Sequence, residues 1–359
     1  MPDKKILIAA GGTGGHIYPG IALAKEFRAR GFDPVFFVRR NDMGISILDK
    51  EGFEYFEIPA MGFRRSLSPG LLKFPFVTLG GLAAAFILMR KIKPAFVAGM
   101  GGYVSFPAII CAKLLGIPSL IHEQNVLPGL TNRILSHFSS IVAVSFEGSR
   151  ACFPDEKVVL TGNPVRPDLF MAPKDETYNR LGLSEGKFTV LVFGGSQGAA
   201  KINRTVLDSF QYLGDVKDRI QFLHIAGAKD YELVRKAYQE KSIPGTVSEY
   251  AHAIGDAYAV ADMIICRSGA TTVAELRILN KYSLLIPFPF ATENHQESNA
   301  RELEKEGLAK VIIERDLTPG LLAAEIIKAL HSVGKNHSFK IPGVFPQELI
   351  AASAVKLIN

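Results

Sequence analysis

Residues 261–280, ADMIICRSGATTVAELRILN, decide how the rest of the sequence is interpreted. Met263–Cys266 is a short apolar run, typical of a strand that is buried on both faces of a parallel sheet. Apolar residues then recur at helical spacing as far as Leu279. Small and hydroxyl-bearing residues at 267–272 join the strand to the helix, a layout that points backbone N–H groups and a positive helix end at an anion.

Glu275 stands about one turn inside this helix, where a carboxylate could accept hydrogen bonds from a sugar diol. The simpler interpretation is that Ser268 or Thr271 caps the helix and Glu275 offsets its dipole. This stretch alone leaves both open. Two more glycine-rich turns, GGTGGH at 11–16 and GGSQGAA at 194–200, favour ligand binding, because tight strand–helix packing explains one such turn better than three.

Length and composition indicate a globular protein of two domains. The chain has 359 residues, more than one ordinary domain holds, and 48% of them are hydrophobic and 21% charged. Its three cysteines, Cys111, Cys152 and Cys266, are dispersed, which favours neither a disulfide framework nor a zinc site. The N-terminus lacks the pattern of a signal peptide, so we expect a cytoplasmic protein.

Positive charge is concentrated in the first half of the chain. Residues 1–150 contain 17 Lys and Arg against 10 Asp and Glu, whereas the remainder contains 24 against 25. From Ile58 to His122 there are seven basic residues and no acidic one. This local concentration of positive charge indicates contact with an anionic partner, rather than a basic composition of the whole chain.

An uncharged stretch of 16 residues, FPFVTLGGLAAAFILM at 74–89, lies inside this acid-free region. It is shorter than the roughly 18–20 residues that span a bilayer. It is either a buried helix of the first domain or an apolar face, ringed by cations, that dips into an anionic membrane surface, and the absence of acids favours the second. The residues predicted to contact the membrane are Arg64, Arg65, Lys73, Phe74, Phe76, Arg90, Lys91 and Lys93.

Alternating buried strands and helices predict an α/β fold. The strands are expected at 5–10, 35–38, 53–58, 95–98, 119–121, 141–144 and 158–160, then at 189–193, 221–225, 247–250, 263–266, 283–286 and 311–313. Each half begins with strand, glycine turn and helix, which predicts two Rossmann-like domains that face each other across a cleft. We expect an N-terminal domain over 1–163, a C-terminal domain over 164–340, and a helix over 341–359 that can return to the N-terminal domain.

Neither glycine turn matches the dinucleotide-binding pattern. From Gly12 the G-x-G-x-x-G spacing requires glycine where Ile17 stands, and Arg39 and Arg40 rather than an acid end the second strand. Those arginines could suit a 2′-phosphate, so an NADP-dependent oxidoreductase remains an alternative. The sequence has no G-K-[ST] and no D-x-D, so we expect helix ends and side chains, not a metal ion, to meet the charge of a diphosphate.

Three histidines follow predicted strands, at the edge where α/β sheets bind ligands. They are His16, His122 and His295. A histidine in such a position is either structural or catalytic. The polar run that contains His295 could reach sugar hydroxyls through Glu293, Gln296 and Asn299.

Together these motifs resemble those of the bacterial MurG family. GGTGGHIYPGIALA, MGGYVSFP, HEQN, GLTN, GNPVR, GGSQGA and CRSGATTVAEL occur in that family's order and at fitting spacing, from about Lys5 to Gly307. The resemblance implies a GT-B fold and an inverting, metal-independent β-1,4 transfer without a cofactor. N-acetylglucosamine would pass from UDP-N-acetylglucosamine to the muramyl O4 of undecaprenyl-pyrophosphoryl-MurNAc-pentapeptide (lipid I), giving lipid II for the cell wall.

The resemblance also implies site residues. Those for the donor are Thr13, Gly14, Gly15, Asn125, Arg166, Ser196, Ala251, Ser268, Gly269, Ala270, Thr271, Glu275 and Gln296. Those for the acceptor diphosphate are Thr13, Gly14, Gly15, His16 and Tyr103. The family usually has paired glutamines near the sugar, whereas His295 precedes Gln296 here.

His16 is the candidate for the base that takes the proton of the acceptor hydroxyl, because its pKa is near neutral by default. The competing role is that His16 only binds the acceptor phosphate. Glu123 is a less favoured base, since its neighbours indicate a structural, hydrogen-bonded carboxylate.

The expected location is peripheral, on an anionic membrane surface at the cytoplasmic face of the inner membrane. Other cell-wall enzymes are potential partners, and nucleic acid is not expected. A non-catalytic nucleotide-sugar sensor and a nucleotide-sugar epimerase of the same fold remain alternatives.

Overall fold

The computed structural model describes residues 4–62, 70–170, 173–195, 198–251, 253–332 and 343–358, without the side chains of 70–72 and 167. The chain divides into two compact units. Unit 1 comprises Met1–Arg166 and Gly343–Asn359, and unit 2 comprises Pro167–Pro342. Each unit is built on its own parallel sheet.

Unit 1 contains a seven-stranded sheet in the order β3-β2-β1-β4-β5-β6-β7, with every neighbouring pair parallel. The strands are β1 Lys5–Ala9, β2 Asp33–Arg39, β3 Glu54–Ile58, β4 Phe96–Gly99, β5 Ser119–Glu123, β6 Ile141–Val144 and β7 Val158–Leu160. Ile6 and Ile8 contribute to one core and Leu7 and Ala9 to the core on the opposite face. Because both faces are buried, the strand reads as a continuous apolar run.

Among the described residues, five α-helices cover the two faces of this sheet before the chain leaves unit 1. They are α1 Gly14–Ala29, α2 Ile45–Glu51, α3 Gly70–Ile92, α4 Ser105–Leu114 and α5 Leu130–Leu135. Residues of α1 and α2 join the core that contains Ile6, and residues of α3, α4 and α5 join the core that contains Leu7.

Helix α3 has one face in the core and one face outside it. Ala85 and Met89 are buried against the sheet, whereas Phe76, Leu79 and Ile87 are 77%, 64% and 67% exposed. By length and composition, Lys73–Ile92 is the one helical stretch of the described residues that could cross a membrane. Its buried face makes it a packed helix of unit 1, and its apolar outer face has no cover among the described residues.

Unit 2 contains a six-stranded parallel sheet in the order β10-β9-β8-β11-β12-β13. Its strands are β8 Phe188–Phe193, β9 Ile220–Ile225, β10 Gly245–Ser248, β11 Met263–Cys266, β12 Ser283–Leu285 and β13 Ala309–Val311. Its helices are α6 Lys174–Arg180, α7 Ala200–Ser209, α8 Tyr231–Glu240, α9 Ile254–Val260, α10 Ala270–Ile278, α11 His295–Lys305 and α12 Pro319–Ser332. Helices α7, α8 and α12 share one core with Val190 and Val192.

The last helix, α13 Pro346–Ile358, belongs to unit 1 rather than to unit 2. Ile350, Ala351 and Ala354 are fully buried in the same core as Ile17 and Ile21 of α1. Gln347 anchors the start of the helix, because its Oε1 accepts a 3.4 Å hydrogen bond from the backbone N–H of Val165.

Several boundaries differ from those predicted. Helix α1 begins at Gly14 rather than after the glycine turn, because the Thr13 carbonyl accepts the N–H groups of His16 and Ile17 at 3.1 and 3.2 Å. Strand β5 continues through His122 and Glu123, which were expected in a loop. Strands β10 and β13 each begin two residues earlier than expected and end two residues earlier.

Candidate active site

The glycine turn after β1 is held by Asp42, a residue that none of the sequence motifs contains. The Asp42 carboxylate accepts the backbone N–H of Gly12 at 2.7 Å and that of Gly44 at 2.9 Å. Gly12 has a φ of +87°, a conformation that favours glycine. The turn therefore has a fixed shape, and the amides at the start of α1 remain as its anion-binding groups.

His16 packs directly against a second glycine turn, which follows β4. A Cβ added to Gly101 would lie 2.9 Å from the His16 ring, and one added to Gly102 would lie 3.4 Å from it. Both glycines have positive φ values, +90° and +74°. Since β1 and β4 are neighbours in the sheet, their two turns meet at its carboxyl edge with the imidazole between them.

His122 is buried beside this pair of turns, at the end of β5. Its Nε2 lies 3.0 Å from the carbonyl oxygen of Gly162, so Nε2 carries the hydrogen in this contact. Burial, with a smaller contribution from the nearby His16, lowers the pKa of His122 to about 4, and the hydrogen bond to Gly162 acts against this shift. His122 is thus neutral at pH 7 and is a structural histidine in this geometry.

Glu123 organises the loop that follows β5. Its carboxylate accepts hydrogen bonds from the backbone N–H groups of Asn125 and Gly129 and from the side chains of Asn125 and Asn132, at 2.8 to 3.2 Å. Burial raises the pKa of Glu123, and those hydrogen bonds act against the rise. These contacts confirm the predicted hydrogen-bonded carboxylate.

The remaining site predictions in unit 1 lie around the same edge. Thr13 precedes α1 and is exposed, and Gly14 and Gly15 form its first turn. Arg166 stacks its guanidinium 4.7 Å from the centre of the Tyr18 ring. Tyr103 is 51% exposed and directly follows the second glycine turn. The Asn125 side chain donates to Glu123, so it is already oriented by the loop.

The predicted membrane residues divide into three groups. Lys73, Arg90, Lys91 and Lys93 are exposed on α3 and just after it. Phe76 is exposed and Phe74 half-buried. Arg64 and Arg65 lie outside the described residues.

In unit 2 the turn after β8 is packed tightly under the start of α7. A Cβ at Gly198 would lie 2.8 Å from the Ala226 carbonyl oxygen, and Gly198 has a φ of +71°. Asn203 of α7 donates to that same carbonyl at 2.9 Å and to Asp230 at 2.8 Å. The Asn203 Oδ1 lies 3.0 Å from His224 Nε2. Burial lowers the pKa of His224 to about 3. Ser196, a predicted donor ligand, lies outside the described residues.

The turn after β11 is capped by backbone geometry and not by a side chain. The N-cap of α10 is Gly269, and no side chain caps it. Ser268 is fully buried, and its hydroxyl donates instead to the Gln296 carbonyl at 2.8 Å. The turn therefore presents the first amides of α10, together with the Thr271 Oγ1, which has no hydrogen-bond partner among the described residues.

Glu275 is 4% exposed and is held by Tyr258 of α9. The Tyr258 hydroxyl donates a 3.0 Å hydrogen bond to Glu275 Oε2. A buried carboxylate with a dedicated donor is a fixed acceptor, which favours ligand binding over the simpler interpretation that Glu275 only offsets the helix dipole. No sequence signal pointed to Tyr258, which lies on another helix.

The polar run at the start of α11 is built around Gln296. Its Oε1 accepts the Phe288 N–H at 2.9 Å, which leaves its amide N–H₂ as the donor for a ligand. His295 Nδ1 lies 2.7 Å from the Thr292 carbonyl oxygen. Glu293 is exposed and Asn299 is fully buried, so of these two only Glu293 is accessible to a sugar in this conformation. Ala251 is half-buried after β10.

Arg267 connects the turn after β11 to the next strand end and was not predicted as a site residue. It donates to the carbonyls of Ile286 and Pro287, both at 3.1 Å, and pairs with Glu314. In the part of the chain that the structure describes, no group of three or more His, Cys, Asp or Glu side chains could hold a metal ion.

Comparison with known proteins identifies the family of this chain. Residues 6–144 match the glycosyltransferase family 28 N-terminal domain, and residues 189–340 match the glycosyltransferase family 28 C-terminal domain. A Myxococcus xanthus protein is 42% identical over 91% of this chain and 85% of its own length. It is named UDP-N-acetylglucosamine–N-acetylmuramyl-(pentapeptide) pyrophosphoryl-undecaprenol N-acetylglucosamine transferase.

A Thermoanaerobacter protein with the same name is 44% identical over 90% of both chains. The chain belongs to the MurG family. The crystal structure of Acinetobacter baumannii MurG matches this structure with a TM-score of 0.76 and 27% identity, over 98% of this chain and 99% of that one. The predicted α/β fold of GT-B type is confirmed, and the oxidoreductase and epimerase alternatives are not favoured.

Proposed function

We propose that this MurG-family chain transfers N-acetylglucosamine from UDP-N-acetylglucosamine to the muramyl O4 of lipid I and so produces lipid II. The observation that carries the proposal is Glu275, a buried carboxylate held by Tyr258 one turn behind the amides that begin α10. This spacing suits a nucleoside diphosphate, whose ribose diol donates to the carboxylate while its phosphates meet the amides.

The remaining donor contacts are those that the MurG resemblance implies, and the positions of Thr271 and Gln296 support them. The Thr271 hydroxyl and the turn after β8, with Ser196, bind the diphosphate, and the backbone near Ala251 binds the uracil. Gln296 donates through its amide N–H₂ to a sugar hydroxyl, because its oxygen is already occupied by Phe288. The resemblance also assigns Asn125 and Arg166 to the donor.

Unit 1 binds the acceptor through its two glycine turns. The amides of Gly14 and Gly15 and the side chain of Tyr103 receive the acceptor diphosphate. His16 takes the proton from the muramyl O4 hydroxyl as that oxygen bonds to C1 of the sugar. The bond from C1 to the phosphate oxygen breaks, UDP leaves with the electron pair, and the configuration at C1 inverts.

The outer face of α3 brings the enzyme to its lipid substrate. Phe76, Leu79 and Ile87 supply an exposed apolar surface, and the cations at the two ends of α3 attract anionic headgroups. We propose peripheral binding on the cytoplasmic face of the inner membrane.

The test is release of UDP from UDP-N-acetylglucosamine with and without a lipid-linked muramyl-pentapeptide acceptor. We expect release to depend on the acceptor and a disaccharide product to form. Glu275→Gln serves as the comparison variant for the donor site, because it keeps the shape of the side chain and removes its charge. An equal rate of UDP release with and without the acceptor would overturn the proposal. Epimerisation of the donor without transfer would also overturn it.

A further inference from the structure

Unit 1 contains an open apolar cavity of about 360 Å³ beside the second glycine turn. The cavity is lined by the segment after β3 and by α3, α4 and α5, with Tyr103 at the end nearest His16. No charged side chain is among its described lining residues, whose only polar side chains are the hydroxyls of Thr78, Tyr103 and Thr131. An occupant must therefore be apolar and uncharged.

Two glycines shape the walls of this cavity. A Cβ at Gly81 would lie 2.3 Å from the Pro59 carbonyl oxygen, so glycine is required for α3 to approach the end of β3 this closely. A Cβ at Gly62 would lie 2.3 Å from the Tyr103 ring. The Tyr103 ring can pack over Gly62 only because glycine has no side chain. The cavity thus depends on close backbone contacts and not on loose packing.

The cavity is open at the protein surface. Leu130 and Ile134 of α5 are 52% and 42% exposed although they line it, and Leu79 of α3 is exposed nearby. An apolar recess that stays in contact with water is destabilising unless a ligand or a partner covers it.

One end of the cavity adjoins the anion-binding turns. Tyr103 lines the cavity and follows Gly102, whose neighbour Gly101 packs on His16. A ligand that spans both features has a diphosphate at one end and an uncharged branched hydrocarbon at the other. A polyprenyl diphosphate has this form, whereas an ordinary acyl chain lacks the diphosphate next to its apolar part.

We propose that this cavity binds the first isoprene units of the acceptor's polyprenyl tail, next to the diphosphate. The proposal rests on the proposed function, because it names a further part of the same substrate. The rest of the tail lies along the apolar outer face of α3. The cavity positions the acceptor independently of membrane attachment, so its effect persists with soluble acceptors.

The test uses two soluble muramyl-pentapeptide diphosphates, one with a farnesyl tail and one with a dimethylallyl tail, without vesicles. We expect the wild-type KM for the farnesyl acceptor to be lower by about tenfold or more, because additional apolar surface is buried. Thr131→Phe, which fills the cavity from α5, should bring the two KM values together without changing kcat or the donor KM. Thr78→Phe fills it from α3 and should do the same.

His137→Phe is the matched control, because it adds the same ring at an exposed position two residues beyond α5. It should keep the wild-type ratio of the two KM values. An unchanged ratio in both cavity variants would overturn the proposal while leaving the proposed function intact. No transfer to either acceptor by the wild type would instead overturn the proposed function.

A competition experiment separates the acceptor tail from a membrane lipid as the occupant. Farnesyl diphosphate should compete with the acceptor in the wild type and compete about tenfold less well in Thr131→Phe. Dihexanoyl phosphatidylglycerol should show no such difference. If only the phospholipid lost its inhibition in Thr131→Phe, the cavity would belong to an acyl chain and the proposal would be wrong.

Discussion

The Tyr258 hydroxyl and the Glu275 carboxylate form a buried pair with an O···O distance of 3.0 Å. The two residues come from consecutive helices, α9 and α10, which flank β11 in the sequence. Because Tyr258 occupies Oε2, the orientation of the carboxylate is fixed before any donor arrives. A preorganised acceptor of this kind loses little entropy when it binds a diol.

Glu275→Ala should weaken the donor far more than the acceptor. Loss of a charged hydrogen-bond partner costs about 1.5–3 kcal/mol, equivalent to a rise of about 10–150-fold in donor KM. Tyr258→Phe should raise donor KM less, because the carboxylate remains and only its orientation is released. Steady-state kinetics with each substrate varied in turn would measure both effects, and an unchanged donor KM in folded Glu275→Ala would refute the assignment.

His16→Ala should lower kcat by about 10²–10⁴-fold and remove the acidic limb of the pH–rate profile, as expected for loss of a general base. His137→Ala, at an exposed histidine of the same unit, should leave both unchanged. If His16 only binds the acceptor phosphate, the acceptor KM should rise while kcat at saturation stays nearly intact. A pH series of kcat for the three proteins distinguishes the two roles.

Activity should persist in excess EDTA. The sequence has no D-x-D, and the described residues contain no group of three metal-ligating side chains. The charge of the diphosphate is then met by helix amides and hydroxyl groups. Complete loss of activity that only magnesium or manganese restores would contradict this prediction.

Binding to anionic vesicles should fall with salt and with neutralisation of the basic residues around α3. The residues to change to Gln are Arg64, Arg65, Lys73, Arg90, Lys91 and Lys93. Each contributes about 1 kcal/mol near such a surface, so several changes together should release the protein in a co-sedimentation assay. The same number of charges removed from exposed lysines of unit 2, beginning with Lys229, Lys236 and Lys305, should have little effect. Equal co-sedimentation of both variants would mean that α3 does not contact the membrane.

The stability of unit 2 should decline in mild acid because of His224. Burial lowers its pKa to about 3, whereas the unfolded side chain has a pKa near 6.5. Between these values the unfolded state binds the extra proton, so stability is complete above about pH 6.5 and is lost as the pH falls towards 3. Between pH 7.5 and 5 the loss should be about 2 kcal/mol.

Urea unfolding of His224→Gln at both pH values tests this assignment. The variant should lack that part of the decline, whereas His331→Gln, at an exposed histidine of the same unit, should retain it. An equal decline in the wild type and in His224→Gln would show that other groups cause it. Unit 1 is less suitable for this test. The lowered pKa of His122 reduces the stability of unit 1 as the pH falls, whereas the raised pKa of Glu123 increases it.

The sequence predicts the sheet residues of this protein well and the contacts behind its turns poorly. Strands such as β6 and β11 have the predicted bounds, because a strand covered on both faces must be apolar throughout. Asp42 and Tyr258 were missed for a different reason. Each acts across elements that are distant in the sequence, and no local spacing records which backbone N–H or carboxylate its side chain will meet. The position of Asp42 soon after β2 places it near the first glycine turn in such a fold, but it does not reveal which N–H groups the carboxylate accepts.

Helix α13 has a consequence for the order in which the chain can fold. The core around Ile17 and Ile21 is incomplete without Ile350, Ala351 and Ala354, which follow every strand of unit 2 in the chain. During synthesis, unit 2 therefore has all of its strands while unit 1, although begun first, still exposes an apolar face of α1. The unit that is begun first is completed after the other, and loss of α13 would damage the core around α1.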